Sequence, residues 1–232
     1  FTATVTPAAA DAPRRLVAPP LPRIMTRAEC QTLFQRVVGL AHGGGDTEVS
    51  IRGTWTANLR WARNRPTTSG DTIQFTAQIT RSQPGKTVTT ELDQLDDATL
   101  KEAVQLLEQR LAALQADTRN PPPEPLGPQT YLTPEIWDDA TFAMTPKDLS
   151  DTARVSVDPV VDAKLDAAGY AEVSAATWAI FNTKGLAAHA VATGALYAET
   201  VRNLEGTASG WAGRTHMSWH KLDAKQLSTT AP

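Results

Sequence analysis

From Val49 to Trp61, small or apolar residues occupy every second position: Val49, Ile51, Gly53, Trp55, Ala57, Leu59 and Trp61, interleaved at the start with Glu48, Ser50, Arg52 and Thr54. A period of two sends alternate side chains to opposite faces of a pleated strand, so this stretch can bury one side only. A chain built around such a strand needs a sheet with one dry and one wet face. Antiparallel sheets are the kind that tolerate water on one side. The dry face needs a cover, and the flanking sequence supplies helices for it.

Thr26-Arg-Ala-Glu29 has the form of a capping box, in which the Thr26 hydroxyl and the Glu29 carboxylate each accept a bond from an otherwise unpaired N–H of the first turn. Cys30, Leu33, Phe34, Val37 and Val38 then form one apolar stripe, which Gly39 and Gly43 to Gly45 end. Beyond the alternating strand, Asn64 to Gly70 reads as a turn. Ile73, Phe75, Ala77 and Ile79 resume the alternation, Ser82 to Gly85 turns again, and Lys86 to Leu92 is a third strand. Asp96 caps a second helix, with Leu95 and Leu100 as a hydrophobic staple. Its stripe of Leu100, Ala103, Val104, Leu107, Leu111 and Leu114 carries it to about Ala116.

Asn120 to Pro128 contains too many prolines to continue a helix and reads as a stiff connector. After it, Thr145-Pro146 and Asp158-Pro159 both read as helix starts. Strands are expected over Tyr170 to Phe181, near Leu186 to Val201, and over Thr207 to His220, with Asn182-Thr-Lys-Gly185 as a hairpin turn. The expected fold class is α+β, a two-layer sandwich of antiparallel or mixed sheet backed by helices. Its parts are a flexible Ala/Pro-rich arm (1–23), a helix-sheet-helix subdomain (24–120), a Pro-rich connector (121–134), and a helix-plus-hairpins part (135–232).

With 232 residues, the chain can bury roughly 70% of its unfolded surface, and 41% hydrophobic against 20% charged residues suits a globular protein. The net charge of −3, with Lys and Arg scattered, argues against a nucleic-acid partner. No apolar run approaches the ~20 residues of a membrane span, so no membrane association is expected. A single cysteine, Cys30, excludes an internal disulfide and a cysteine metal cluster and suits a reducing compartment. A cytoplasmic location is expected, with export behind a removed signal as the alternative. The start at Phe1 and the end shortly after a helix-start pattern suggest a piece of a longer protein.

Few residues offer chemistry on spacing alone. Trp61 reads as an inward strand residue, Arg60 as an outward one, and Asn64 as a turn starter. His216 and His220 share a face, but on a strand they stand about 13 Å apart at ~3.3 Å per residue, too far for one ion, and no Glu follows His216. Gly206, Gly210 and Gly213 fit neither dinucleotide nor P-loop spacing. Cys30, on the apolar side of a helix, reads as a core residue. Asp96-Asp97 and Asp138-Asp139 read as helix-start charges.

Three motifs taken together say more: Asn58-Leu-Arg-Trp-Ala-Arg-Asn64, then Phe181-Asn-Thr-Lys-Gly-Leu186, then Gly206 to Gly213. In this order and at these separations they resemble the N-terminal half of the TldD/PmbA family of metallopeptidases, over about Thr26 to Leu227. Pro121 to Pro159 follows that pattern only loosely. The resemblance implies a dimer, homomeric or with a metal-lacking or metal-bearing paralogue, that encloses a tunnel and degrades or processes unfolded peptides. It places a zinc site on a His-Glu…His helix of the C-terminal half. This chain is then expected to hold no cofactor, to be inactive alone, and to take a peptide as partner. Arg60, Trp61, Asn64, Asn182, Gly185 and Gly210 are the residues so assigned to the tunnel wall or the dimer contact. The alternatives are a metal-free partner subunit or a non-enzymatic module binding peptide or protein, and, on the His216/His220 pair, a self-contained hydrolase.

Overall fold

The structure, a computed structural model, describes residues 23–231. The arm expected at 1–23 lies outside them apart from Arg23. In chain order the elements are α1 (Arg27–Leu40), β1 (Asp46–Ala62), β2 (Arg65–Gln83), β3 (Lys86–Leu92), α2 (Asp97–Ala113), α3 (Asp139–Phe142), α4 (Pro146–Asp162), β4 (Asp166–Asn182), β5 (Ala187–Arg202), β6 (Ser209–His216) and α5 (Ala224–Thr230), with a 3-10 turn at Trp219–Lys221. Six strands form one sheet in the order β3-β2-β1-β4-β5-β6, and every neighbouring pair is antiparallel. The expected α+β class holds, and the sheet is purely antiparallel.

Either side of the connector the chain runs through a helix, three strands and a helix, with the short α3 and the 3-10 turn as additions in the second half. The two units meet where β1 pairs β4. Those strands have equal length, 17 residues each, and Trp55 lies opposite Ala175 at the middle of their ladder. The arrangement is a pseudo-twofold one. The connector therefore links two halves of a single sheet.

Alternation in β1 is strict. Thr47, Val49, Ile51, Gly53, Trp55, Ala57, Leu59 and Trp61 are buried, and the residues between them stay partly or fully exposed. The described helices cover that one face, giving two adjoining cores. Cys30, Leu33, Val37, Leu100, Val104 and Leu107 of α1 and α2 pack on Val49, Ile51, Ala77 and Ile79. Leu149, Ala153, Val157 and Val160 of α4, with Trp219 and Leu222, pack on Trp55, Leu59, Trp61, Val173 and Tyr197. Burial and the neighbouring Glu29 charge push the Cys30 thiol up to about 11, so it is an unreactive core residue.

Three expectations about elements need correction. The turn after β1 is only Arg63-Asn64, both with positive φ (52° and 61°), as a two-residue type I′ hairpin requires. Pro66 to Gly70 is strand, because β2 pairs β1 along this whole stretch with one irregularity at Arg60/Trp61. Pro66 is tolerated there since β3 pairs β2 only from Ala77 onward, which leaves that edge without a ladder to break. Second, Asp158-Pro159 does not start a helix: Pro159 lies inside α4, one turn from its end. Leu149, Ala153, Val157 and Val160 share one buried face, and that packing outweighs the single bond Pro159 cannot donate. Third, the last strand stops at His216, and Trp219–Lys221 is a 3-10 turn because Trp219 has to turn into the core.

Caps agree with the sequence. Thr26/Glu29 forms its capping box, as does Thr145/Asp148, and Asp96 and Asp138 cap α2 and α3. Each carboxylate is held below its ordinary value: Glu29 by the Thr26 N–H, Asp96 by the Thr99 hydroxyl, Asp148 by the Thr145 hydroxyl, and Asp138 by the Ser218 hydroxyl. A lowered folded-state pKa stabilises above the unfolded value and is lost as pH falls through the folded one. The thermal midpoint should therefore hold steady from neutral pH down to about the ordinary Glu value of 4.5 and fall below the ordinary Asp value of 3.8, as a pH series of melts will show. On α2, Leu107→Ala should cost about 3 kcal/mol by urea unfolding and Leu106→Ala, on the wet side, less than about 0.5.

Candidate functional site

The face of the sheet that the described helices leave uncovered is concave. Near the middle of the molecule it carries a trough of ≈ 1080 Å³. Its floor is built from Ser50 and Arg52 of β1, Thr76 and Gln78 of β2, Trp178 and Ile180 of β4, and Ala188 and Ala190 of β5. These residues share a face because the register sets Arg52 beside Thr76 and Trp178, and Trp178 beside Ala190. One wall is the connector, at Tyr131 to Pro134 and Trp137. Trp178 is 44% exposed, a large indole left in water on a floor otherwise made of polar and small residues and Ile180. That mixture of one aromatic, small residues and scattered hydrogen-bonding groups suits a polypeptide, and it offers no nucleophile beside a base.

The six residues singled out by sequence fall at two ends of the sheet. Trp61 pairs Gly169 and Gly210 pairs Val201 at one end, whereas Asn182 pairs Glu48 at the other. The separation along β1 is roughly 40 Å at ~3.3 Å per residue. Arg60, Trp61, Asn64 and Gly210 are thus brought to one end, Asn182 and Gly185 to the opposite end, and the six do not form one cluster.

At the first end Trp61 is buried and its Nε1–H donates to Glu199 Oε1 at 3.0 Å. Gly169 makes room for the indole, since a Cβ there would stand 2.2 Å from the ring. Glu199 is itself buried, its Oε2 has no partner among the described residues, and neither has the Tyr197 hydroxyl next to it. Burial pushes the Tyr197 phenol well up. Asn64 works as a surrogate peptide group: its Nδ2 donates to Leu165 O at 2.9 Å and its Oδ1 accepts from Ala167 N at 2.7 Å, tying the hairpin to the start of β4. Arg60 lies on the wet face with its guanidinium 4.9 Å from the centre of the Tyr170 ring. Gly210 lies on the edge strand β6, beside Trp211, which is 66% exposed.

At the other end Asn182 is buried. Its Oδ1 accepts from Lys184 N and Leu186 N, both at 3.0 Å, and its Nδ2 donates to Leu126 O at 2.9 Å and to Glu48 Oε2 at 3.3 Å. One side chain therefore shapes the β4–β5 turn and anchors the connector over it. Gly185 has φ 95° and its Cα faces Pro128, where a side chain would be both strained and crowded.

His216 and His220 do not form a metal pair: His216 ends β6 with its Nδ1 accepting from Ser218 N at 2.9 Å, and His220 follows in the 3-10 turn. Among the described residues no three His, Cys, Asp or Glu side chains are grouped to hold a metal ion. No described helix is long and apolar enough to cross a membrane. The sequence reading missed Glu199 as partner of Trp61, although a signal was present: it falls on the buried set of β5, with Ala195, Tyr197 and Val201. Trp178 and the wall at Tyr131 to Pro134 were missed too, because a wet face has no sequence signature beyond not being apolar.

No protein-family model and no curated protein matches the chain. Solved structures do. A candidate modulator of a DNA gyrase from Thermotoga maritima MSB8 superposes with a TM-score of 0.73 at 16% identity, over 87% of this chain and 46% of that one. TldE from Thermococcus kodakarensis gives 0.69 at 12% identity, over 87% and 46%, and a candidate modulator of DNA gyrase from Bacteroides thetaiotaomicron VPI-5482 gives 0.72 at 12%, over 89% and 49%. The chain has the fold these proteins share with it, the α+β architecture that the resemblance implied. It spans about half the length of each.

Trp61→Phe removes the one donor that the buried Glu199 carboxylate has among the described residues and should cost about 2–3 kcal/mol by urea unfolding. In a Glu199→Gln background the same change should cost about 1 kcal/mol, the worth of a neutral hydrogen bond. Equal costs in both backgrounds would contradict the pairing.

Proposed function

We propose that this chain is the N-terminal half of a TldD/PmbA-like zinc metallopeptidase that processes or degrades unfolded peptides in the cytoplasm. The observation that carries the reading is the fold shared with TldE over 87% of this chain and only 46% of that protein, joined to the three motifs in family order. In this reading the wet sheet face walls the substrate tunnel. Trp178, Arg52 and the small residues of β5 receive extended peptide and keep it from refolding, while the α1/α2 and α4/α5 layer holds that wall rigid. The end carrying Arg60, Asn64 and Gly210, where Trp211 and Leu204 are 66% and 76% exposed, is the proposed contact with a second copy or a paralogue.

The residues described here do not fit a zinc ion, so no step in this chain is routed through one. In the proposed whole protein, zinc bound by another half would activate the water that attacks the scissile carbonyl. What this chain contributes is binding, orientation and exclusion of bulk water.

The test compares two proteins on unfolded casein. The product of the whole reading frame should cleave it and lose activity to a chelator, whereas the 232-residue chain should neither cleave it nor retain stoichiometric zinc by elemental analysis. Cleavage by the chain alone overturns the proposal. A whole product with no peptidase activity and no His-Glu…His helix would instead support the metal-free partner or an interaction module.

A further inference from the structure

Strand β5 pairs β4 along its length, but β6 covers its other side only from Ala195 to Arg202. Ala187 to Gly194 therefore has a side that no strand among the described residues occupies. In an antiparallel strand the N–H and C=O of one residue point to the same side. Ala187 and Thr193 show which residues point away from β4. The Ala187 N–H donates to Tyr131 Oη at 3.3 Å, its C=O accepts from Arg27 Nη2 at 3.1 Å, and the Thr193 N–H donates to Ile136 O at 3.0 Å. His189 and Val191 lie between them with the same orientation. Their N–H and C=O groups have no hydrogen-bond partner among the described residues.

The gap is a real space. His189 and Val191, with Ala188 and Ala190, line the ≈ 1080 Å³ trough from one side, and Tyr131 to Pro134 of the connector line it from the other. The chain ahead of α3 meets β5 through a hydrogen bond at each end of this segment, from Tyr131 at Ala187 and from Ile136 at Thr193. Pro134 has no N–H to offer a neighbouring strand, which is one reason that it does not close the edge itself.

We propose that this edge takes up an extended peptide carrying an acidic residue, which pairs with His189 and Val191 as an added strand. Unpaired groups repeating every second residue, about 6.6 Å apart, match residues i and i+2 of an extended backbone. The acidic preference follows from charge. Arg27 and Arg52 line the same trough, and neither pairs with a carboxylate among the described residues. Glu91, the one carboxylate among the lining residues, is on β3, four strands from β5 and about 19 Å across. Trp178, Ala188 and Ala190 give the peptide an apolar floor. The inference rests on the reading that the chain handles unfolded peptides, and it names where and by what chemistry.

Amide exchange resolved by residue tests it, with acetyl-Thr-Val-Glu-Val-Thr-amide as probe. In the chain alone, the His189 and Val191 amides should exchange fast while those of Ala190 and Thr193 are protected. At saturating peptide the first two should slow at least tenfold, with Ala190 unchanged. Val191→Pro removes an outward N–H without touching the β4 ladder; it should leave the melting temperature near wild type and abolish binding. Arg52→Glu should weaken binding at least tenfold and reverse the preference in favour of a Glu→Lys probe. Slow exchange at His189 and Val191 before peptide is added, or full binding to the Val191→Pro chain, overturns the proposal. Those results bear on the edge alone. A whole reading-frame product without peptidase activity bears on the function, whatever binds here.

Discussion

The antiparallel pairing of β1 with β4 is the contact on which the rest of the molecule depends. Each half of the chain, taken alone, is three strands covered by helices, with a long strand exposed at its edge. The ladder from Glu48/Asn182 to Trp61/Gly169 joins those edges and turns two small cores into one continuous dry face. An unpaired edge of that length would invite aggregation, so the pairing solves a problem that neither half solves separately. It also aligns the outward residues of both halves, Ser50 and Arg52 with Trp178 and Ile180, into a single wet surface.

Polar side chains, buried at Asn182 and Arg81 and half-buried at Asn64, lock that surface at each end. Asn64 ties the β1–β2 hairpin to β4, Asn182 ties the β4–β5 turn to the connector, and the buried Arg81 donates to Gly43 O at 2.7 Å to hold the loop between α1 and β1. Each replaces an absent backbone partner with a side-chain one, which is how irregular chain is fixed in place where no ladder reaches. The motifs that mark the family resemblance are largely these locks. Their spread over both ends shows that Trp61, Asn64 and Asn182 hold the sheet and its turns in shape.

How much was legible in the sequence follows from which signals are local. Period-two burial in β1, the capping box at Thr26, the helix start at Thr145-Pro146, the Asp96 cap and the turn ending at Gly85 rest on neighbours within a few residues, and all were readable. The errors came where tertiary contact overrode local preference. Pro66 and Gly70 look like turn residues but sit on a strand because β1 runs opposite them. Pro159 looks like a helix start but is carried inside α4 by a buried stripe. The partnership of Trp61 with Glu199 joins residues far apart in sequence, and only the misfit of a carboxylate in an apolar set hinted at it. The wet-face trough was invisible because it depends on register across five strands.

The wet face, and not the helical layer, is the surface proposed to meet polypeptide. A photo-crosslinking side chain placed at position 178 in the whole reading-frame product, and separately at position 106 on α2, tests this directly with an unfolded peptide substrate. Peptide adducts at 178 and none at 106 are the predicted result; adducts at 106, or none at 178 while the substrate is turned over, would contradict it.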